Sequence, residues 1–300
     1  MKLVTLKHQG SEYLGIQSAD HVIIPALSTP KEGIPRSMLA LISAGEEGLS
    51  MLREFEDPDS TGVRIALANA ELLAPIPNPP DNVICLGWNY VEHIEESASA
   101  AVRDRELPEH PVVFTKAVGS IIGPFDPIPF DAGFSSQWDW EVELGVIIGK
   151  PGRGITEADA LAHVFGYTVI NDISIRDVQF RHQQFFLGKS ADGACPMGPC
   201  VVTADEISDP QALDLRCRVN GETKQDSNTR YQIFDIRKTI SILSKGMTLR
   251  AGDIIATGTP SGVGFARKPP EFLKPGDVVE CEVEGIGFLS NPVVDMEDLG

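Results

Sequence analysis

The amino-acid sequence of 300 residues predicts an α+β fold that is mostly β. Short runs rich in β-branched residues outnumber the helical patterns, and the two kinds of pattern do not alternate regularly along the chain. This order favours a mixed, strand-rich architecture over a doubly wound parallel sheet. Hydrophobic residues make up 42% of the chain and charged residues 23%, as in soluble globular proteins that bury a substantial core.

The N-terminal quarter of the chain predicts a small α+β module. Its expected elements are strands over 2–6, 12–16 and 21–24 and helices over 37–43 and 46–55. The segment from Pro75 to Asp81 is too rich in proline for a helix or a central strand. We therefore expect a small N-terminal domain over residues 1–78 and a larger domain over residues 79–300.

The larger domain is predicted to consist mainly of strands. Strands are expected over 83–87, 165–170, 214–220, 253–256 and 277–284, and helices over 156–163 and 235–244. Thr156 is a suitable N-cap for the first of these helices. Residues 90 to about 109 are polar and contain several alanines, so we expect a helical or mobile segment that acts as a lid.

An acidic stretch distinguishes the middle of the chain. Apolar and acidic residues alternate strictly from Trp138 to Leu144, so a strand there places the carboxylates of Asp139, Glu141 and Glu143 on one face. Ionised carboxylates about 7 Å apart repel each other unless water, a basic group or a cation compensates their charge. The stretch is therefore either a solvated acidic face or a metal-binding or catalytic site.

A second stretch with the same alternation shows that the pattern alone does not decide between these alternatives. Residues 280–284 also alternate acidic and apolar side chains, but that run ends in a glycine turn at 285–287. The first stretch instead continues into residues 146–148, which are apolar on both faces and indicate a strand that enters the core. This continuation is what separates the two stretches.

Charge and cysteine content limit the classes of function. The formal net charge of −18, from 43 acidic and 25 basic residues, argues against a nucleic-acid partner and leaves small substrates open. Five cysteines without a C-x-x-C pair predict reduced, buried thiols rather than disulfides or structural zinc. There is no apolar N-terminal signal region and no apolar run of about 18 residues, so we expect a cytoplasmic protein without a membrane partner.

Three short motifs do not support nucleotide binding or serine hydrolysis. Gly188-Lys189-Ser190 lacks the glycine that a phosphate-binding loop requires five residues before its Gly-Lys pair, because Gln183 stands there. Residues 257–264 are soon followed by Pro269 rather than by a long helix, so a tight turn is expected. Ser261 lacks the first glycine of a nucleophile elbow.

His93 and Glu96 are three residues apart and are therefore neighbours if the predicted lid is helical. A carboxylate in this position can orient an imidazole as a general base. Two polar surface residues would show the same spacing, so the sequence leaves both interpretations open.

Seven ordered motifs resemble the fumarylacetoacetate hydrolase family, and the resemblance extends from about residue 82 to the C-terminus. They are Gly87-Trp88-Asn89-Tyr90-Val91-Glu92-His93, Phe114-Thr115-Lys116, Asp139-Trp140-Glu141-Val142-Glu143-Leu144, Gly166-Tyr167-Thr168-Val169-Ile170-Asn171-Asp172, Arg176-Asp177-Val178-Gln179, Gly188-Lys189-Ser190 and Thr257-Gly258-Thr259-Pro260. The resemblance implies a mixed β-roll catalytic domain preceded by a small N-terminal α+β domain, commonly in a homodimer.

The same resemblance implies roles for individual residues. The implied metal ligands are Glu141, Glu143 and Asp172, the implied catalytic residues are His93, Glu96 and Lys189, and the implied substrate contacts are Arg176, Gln179 and Thr259, with Lys189 also touching the substrate. Asp139 is left outside the ligand set. Residues 191–193 depart from the family pattern, which predicts a larger or looser pocket.

Carboxylate ligands without His or Cys select a hard cation, so we expect Mg²⁺, or alternatively Mn²⁺. The expected substrate is a 2-oxo acid that chelates the ion through its carboxylate and 2-oxo oxygens. The presence of both His93 and Glu96 favours hydrolysis of a C–C bond in an acylpyruvate-type 1,3-dicarbonyl. The alternatives are an oxaloacetate decarboxylase, a keto–enol tautomerase of the same acids, and a non-enzymatic, metal-dependent oxo-acid binding protein.

Overall fold

The computed structural model describes residues 1–29, 32–57, 62–101 and 107–299. Strands dominate, as predicted, and the sheets mix parallel and antiparallel pairs. The strands are β1 Lys2–His8, β2 Ser11–Gln17, β3 His21–Ile24, β4 Val63–Ala66, β5 Glu71–Leu73, β6 Val83–Gly87, β7 Val112–Lys116, β8 Ile121–Ile122, β9 Ile128–Phe130, β10 Trp138–Asp139, β11 Val142–Ile148, β12 Val164–Asn171, β13 Ser174–Ile175, β14 Cys195–Thr203, β15 Asp214–Val219, β16 Glu222–Asn228, β17 Ile254–Ala256, β18 Val278–Val283 and β19 Gly287–Asp295. The α-helices are α1 Pro25–Ser28, α2 Met38–Leu52, α3 Val91–Ala101, α4 Arg176–Arg181, α5 Phe186–Lys189 and α6 Ile236–Gly246.

One large sheet extends through most of the molecule. In spatial order its main path is β4-β3-β2-β1-β14-β12-β11-β17-β6-β7, with β5 beside β1 and β8 beside β14. The N-terminal strands join it through the antiparallel pair of β1 and β14, in which Leu3 lies opposite Val201. Main-chain hydrogen bonding therefore connects the two parts of the chain, and the proposed domain boundary at residue 78 stays a prediction.

A second sheet covers one face of the large sheet. Its order is β16-β15-β18-β19-β9. Alternate residues of β11 belong to the same apolar cluster as Leu215 of β15 and Cys281 of β18. On the opposite face, Leu41 of α2 and Ile147 of β11 belong to another cluster. Strand β11 is therefore buried on both faces, which explains its continuous apolar run.

Most predicted elements are present with shifted ends, and one helix prediction is wrong. The helices expected over 37–43 and 46–55 are present as the two halves of α2, which are separated at Gly45 by a non-helical conformation with φ +56°. The helix expected over 156–163 is confined to a 3₁₀ turn at Ala160–His163. The hydroxyl of Thr156 donates to the carboxylate of Asp159 at 2.7 Å and accepts from its amide, which closes a local turn in place of an α-helical start.

The acidic stretch is not one continuous strand, as the alternation had predicted. Strand β10 ends at Asp139 and β11 begins at Val142, so the extended pairing is interrupted at Trp140 and Glu141. Strand β10 pairs with β13 in a separate two-stranded sheet, whereas β11 lies in the large sheet. The carboxylates of Asp139 and Glu141 therefore do not share one regular strand face.

The second acidic run, residues 280–284, forms a solvated strand face, whereas the carboxylates of the first run are buried. In β18, Glu280 and Glu282 are partly exposed, and Glu282 pairs with Arg218 at 2.9 Å. The residues that alternate with them, Val279, Cys281 and Val283, face the core. All five cysteines, including Cys281 in this strand, are buried free thiols, as predicted.

Asn89 connects three segments next to the end of β6. Its buried amide nitrogen donates to the carbonyls of Phe234 and Thr257 at 3.0 and 2.7 Å, and its oxygen accepts from the amide of Phe234 at 2.8 Å. Gly258 lies so close that a Cβ there would approach Asn89 Cβ to 2.7 Å, and its φ of +93° also favours glycine. Asn89 thereby fixes the loop after β17 and the loop before α6 to the end of β6.

The variant Asn89→Ala is expected to lower the free energy of unfolding by about 3 kcal/mol, because buried backbone groups lose their hydrogen-bond partner. Urea denaturation followed by circular dichroism measures the change. The control is Asn69→Ala at an exposed position, where we expect a change below about 0.5 kcal/mol. Equal stability of the two variants would contradict the role of Asn89.

Candidate active site

Three buried carboxylates meet where β11 and β12 pair. Glu141 precedes β11, Glu143 lies within it, and Asp172 directly follows β12. The antiparallel register sets Val142 opposite Asn171, and the amide of Asp172 donates to the carbonyl of Glu141 at 2.9 Å. One oxygen from each carboxylate therefore lies within 4.8 Å of the others. The structure brings together the three residues predicted as metal ligands, and their role as ligands stays a prediction.

Two buried lysines hold this carboxylate cluster together. Lys189, the last residue of α5, donates from Nζ to Glu141 Oε2 and Asp172 Oδ2, each at 2.7 Å. Lys116, the last residue of β7, donates to Asp172 Oδ1 at 2.7 Å and to the carbonyls of Ile173 and Lys189. Lys189 is therefore a buried lysine paired with two carboxylates rather than a solvated one.

Arg176 links the cluster to Asp139. Its Nε donates to Asp139 Oδ2 at 2.7 Å, and its Nη1 donates to Gln179 Oε1 at 3.1 Å. Its Nη2 lies 2.8 Å from Glu141 Oε1, as an ion pair without the angle of a hydrogen bond. Asp139 also accepts from the amides of residues 264 and 265. Asp139 therefore positions Arg176 and lies outside the carboxylate triad, as the family resemblance implied.

Burial and neighbouring charges shift the pKa values of these groups in different directions. Burial raises the pKa of Glu143 well above its ordinary value, and the charges of Asp172 and Glu141 raise it further. Burial also opposes ionisation of Glu141, but Lys189 and Arg176 outweigh this effect and lower the pKa of Glu141. Burial opposes the charge of Lys189 as well, and its attraction to Asp172 and Glu141 leaves its pKa raised. Lys189 is therefore a cationic donor at neutral pH rather than a base.

The donor set fits a hard divalent cation. A triad of carboxylates without His or Cys is typical of Mg²⁺ and Mn²⁺ sites. With Asp139 there are four buried carboxylates against three cationic groups, and within the described residues Glu143 forms no ion pair with Lys or Arg. A divalent cation held by Glu141, Glu143 and Asp172 would supply the positive charge that this group lacks.

His93 and Glu96 form the predicted dyad near the start of α3. His93 Nδ1 lies 2.9 Å from Glu96 Oε1, and His93 is only 5% exposed. Because a carboxylate only accepts hydrogen bonds, this contact places a proton on Nδ1. In the neutral imidazole Nε2 is then the acceptor, which is the tautomer that a general base requires.

Helix α3 is docked on the loop that follows β17. Glu96 Oε2 accepts from the amide of Gly262 at 2.9 Å, and the hydroxyl of Ser261 donates to Glu92 at 3.2 Å. Gly262 has a φ of +103°, a conformation that side chains disfavour. The first turns of the predicted lid are therefore closed against this loop, while residues 102–106 of the lid lie outside the described residues and its motion stays a prediction.

The loop over 257–264 supports the site, although the sequence pattern predicted only a tight turn. The amide of Gly258 donates to Glu143 Oε2 at 2.8 Å. The hydroxyl of Thr259 donates to the carbonyl of Val142 at 3.0 Å and accepts from Gln225 at 2.8 Å. Thr259 therefore faces the site with a hydroxyl whose proton is already engaged, so any substrate contact would use the remaining lone pair.

A cavity of about 400 Å³ adjoins the carboxylate cluster. The predicted site residues that line it are His93, Glu141, Arg176, Gln179, Lys189 and Thr259. Glu96, Glu143 and Asp172 are set back from it, since they contact the lining residues rather than form the wall. The structure thus arranges all nine predicted residues around one cavity.

Sequence reasoning missed several residues that shape this cavity. Trp88, Phe114 and Phe185 form one aromatic wall, in which the ring of Phe185 meets the other two edge to face at 5.8 and 5.6 Å. Phe265 also lines the cavity, and the centroid of its ring lies 4.5 Å from the guanidinium carbon of Arg176. Phe114 and Trp88 occurred in the family motifs, but nothing in their spacing indicated that they converge with Phe185.

The expectation that residues 191–193 open the pocket is wrong. These residues are absent from the described cavity wall. Ala191 packs against the main apolar core. Gly193 has a φ of +70°, and Pro129 fills the place that a side chain would occupy. This corner is closed by packing and does not enlarge the site.

A strand-rich fold of mixed sheets with a buried carboxylate triad beside a helix-covered cavity defines a class of candidate metal-dependent enzymes. A family model described as "Fumarylacetoacetate (FAA) hydrolase C-terminal" matches residues 82–294. The chain belongs to the fumarylacetoacetate hydrolase family, as its seven motifs predicted, and is an enzyme of that family.

Relatives and solved structures match almost the whole chain. Oxaloacetate tautomerase YisK from Bacillus subtilis is 42% identical over 98% of this chain and 100% of its own. The structure of a fumarylacetoacetate hydrolase from Exiguobacterium antarcticum has a TM-score of 0.82 and 41% identity, covering 98% of this chain and 99% of that one. A maleylpyruvate hydrolase from Sphingobium, solved with manganese(II) and pyruvate, has a TM-score of 0.78 and 31% identity with the same coverage.

These similarities confirm the predicted fold class. The family structures share the mixed, strand-rich architecture over nearly the full chain, and the buried acidic triad offers a place for a divalent metal. Among the described helices, none combines the length and apolar character needed to span a membrane.

The variants Glu141→Gln, Glu143→Gln and Asp172→Asn are each expected to weaken Mg²⁺ and Mn²⁺ binding by at least about 100-fold, since even indirect supports of a metal ligand are worth about 10- to 100-fold. Isothermal titration calorimetry with either ion measures this. Glu282→Gln is the matched control, because it removes a carboxylate from the solvated acidic strand. Unchanged affinity in the three variants would exclude the triad as the metal site.

Lys116→Met is expected to destabilise the fold by about 3–5 kcal/mol, because it leaves the carboxylate of Asp172 buried with one cationic partner fewer. Thermal and urea unfolding measure the effect. The control Lys7→Met removes an exposed lysine that lies 3.6 Å from Glu71, and it should cost less than about 1 kcal/mol. A similar small effect at both positions would show that Lys116 is dispensable for charge compensation.

Proposed function

We propose that this protein is a Mg²⁺- or Mn²⁺-dependent tautomerase that interconverts the enol and 2-oxo forms of oxaloacetate. The observation that carries the proposal is that one cavity is lined by both a proton acceptor and a cationic donor. The acceptor is Nε2 of His93, and the donor is the ammonium of Lys189. The similarity to an oxaloacetate tautomerase over the full chain supports this choice of reaction and substrate.

The proposed reaction needs one proton transfer at carbon and one at oxygen. His93 takes the proton from C3 of the 2-oxo form and then gives it to the enolate oxygen, and the reverse direction follows the same two transfers, while Glu96 holds the imidazole in the correct tautomer. Lys189 and Arg176 stabilise the negative charge that forms on the 2-oxo oxygen. A divalent cation at the triad, when bound, supplies polarisation of the 2-oxo group.

Other residues on the cavity bind the substrate and exclude water. Gln179 uses its carbonyl oxygen to accept from Arg176, which leaves its amide nitrogen as a donor for a substrate carboxylate. Docking of α3 through Glu96 and Glu92 covers the cavity and shields the proton transfers from solvent.

Hydrolysis of a C–C bond in an acylpyruvate is the second candidate function. The hydrogen-bonded pair of His93 and Glu96 has the arrangement that activates a water molecule, and a maleylpyruvate hydrolase is among the structural relatives. Decarboxylation of oxaloacetate would require the same metal site and a proton donor. A non-enzymatic binding protein would bind the oxo acid without converting it.

We also propose that the protein is cytoplasmic and forms a homodimer.

Parallel assays separate these reactions. The enol form of oxaloacetate is followed by its absorbance, the 2-oxo form by coupling to malate dehydrogenase, and pyruvate by coupling to lactate dehydrogenase, each with Mg²⁺ and with Mn²⁺. Acetylpyruvate and fumarylpyruvate are followed by diketone absorbance. The tautomerase proposal predicts fast enol-to-2-oxo conversion without pyruvate formation. Pyruvate released from either diketone at a higher kcat/KM would establish the hydrolase instead.

His93→Ala is expected to lower kcat for tautomerisation by about 100-fold or more, because it removes the general base. Glu96→Gln should have a smaller effect of about tenfold, since the imidazole remains but loses the partner that fixes its tautomer. His110→Ala, at an exposed position, is the control and should match the unmodified enzyme. Turnover by His93→Ala at the rate of the control would remove the imidazole from the mechanism.

A further inference from the structure

The cavity has more room and more aromatic surface than oxaloacetate requires. Its volume of about 400 Å³ is in the range that accommodates drug-sized ligands, whereas oxaloacetate is a four-carbon acid. The polar groups that bind a 2-oxo acid are gathered at one side, around Glu141, Lys189 and Arg176. The remaining wall is dominated by aromatic rings.

These rings form a continuous path from the charged groups outward. The ammonium of Lys189 lies 5.0 Å from the ring of Phe114. Phe114 meets Phe185 edge to face at 5.6 Å, and Phe185 meets Trp88 at 5.8 Å. All three residues are only partly buried. An apolar substituent extending from a 2-oxo acid would therefore cover them.

The backbone conformation holds Trp88 in this position. Its φ is +54°, a conformation that is uncommon for a residue with a bulky side chain. The neighbouring side chain of Asn89 is fully buried and fixed by three hydrogen bonds, so the turn that carries Trp88 is held in place. The indole is thus part of a prearranged wall rather than a side chain that happens to lie nearby.

From this wall we infer that the enzyme also tautomerises 2-oxo acids with an aryl substituent on C3, of which phenylpyruvate is the simplest. This inference rests on the proposed tautomerase function and extends its substrate class. The aryl ring packs against Phe185 and Trp88, while the 2-oxo acid end occupies the same place as in oxaloacetate. In the enol-to-2-oxo direction, the enol O–H bond breaks and a C3–H bond forms, so no further reactant is needed.

The test compares enol-to-2-oxo rates for phenylpyruvate and oxaloacetate, each corrected for the rate with Mg²⁺ and buffer alone. We expect the enzyme to accelerate both, and Phe185→Ala to lower kcat/KM for phenylpyruvate by at least about tenfold while changing that for oxaloacetate less than about threefold. Phe125→Ala is the matched control, since it breaks an exposed edge-to-face pair with Phe288 far from the cavity lining. It should leave both rates unchanged.

The outcomes distinguish this inference from the proposed function. Turnover of oxaloacetate without turnover of phenylpyruvate, or an equal loss of both in Phe185→Ala, would overturn the aryl specificity and leave the tautomerase intact. Absence of turnover with oxaloacetate would instead overturn the proposed function. If Phe185→Ala does not fold by circular dichroism, Phe185→Leu replaces it, and a selective loss of phenylpyruvate turnover of at least about threefold is then expected.

Discussion

The site depends on mutual compensation of charges that are buried in the protein interior. An isolated carboxylate costs several kcal/mol to bury, and Asp139, Glu141 and Asp172 offset this cost because Lys116, Arg176 and Lys189 lie at ion-pair distance. Each of these cations ends or begins a secondary-structure element, so the charge pairing also fixes where β7, α4 and α5 lie. Glu143 has no such partner among the described residues, and a metal ion at the triad would supply one.

The same constraint explains why the acidic stretch is bent. A straight strand would align Asp139 with Glu141 and Glu143 and add their repulsion. The break at Trp140 instead turns Asp139 toward Arg176 and toward the amides at 264 and 265. Asp139 then serves the cluster indirectly, by holding the cation that faces Glu141. Local backbone irregularity thus lowers the electrostatic cost of concentrating the other carboxylates.

Residue types and spacing predicted most of the strands and the proximity of Glu141 to Glu143 and of His93 to Glu96, because these depend on short sequence intervals, whereas Asp172 was assigned to the triad only through the family resemblance. Reasoning from one segment at a time could not predict the partners that lie far apart in the chain. Lys116 and Asp172 are 56 residues apart and meet through the sheet order. The glycines at 258 and 262 indicated a turn in the sequence. Only the fold shows that their amides donate hydrogen bonds to Glu143 and Glu96.

The cavity has a charged side and an aromatic side, and the two sides differ in how much substitution they tolerate. The buried ion pairs tolerate little change, since removal of one partner leaves an uncompensated charge. The aromatic side chains of the wall are only partly buried and make no ion pair with the carboxylates, so substitutions there would leave the carboxylate cluster in place. In the proposed reaction, chemistry at the 2-oxo group would therefore depend on the geometry of the buried charges, whereas rings such as Phe185 and Trp88 would select the size and shape of the substrate.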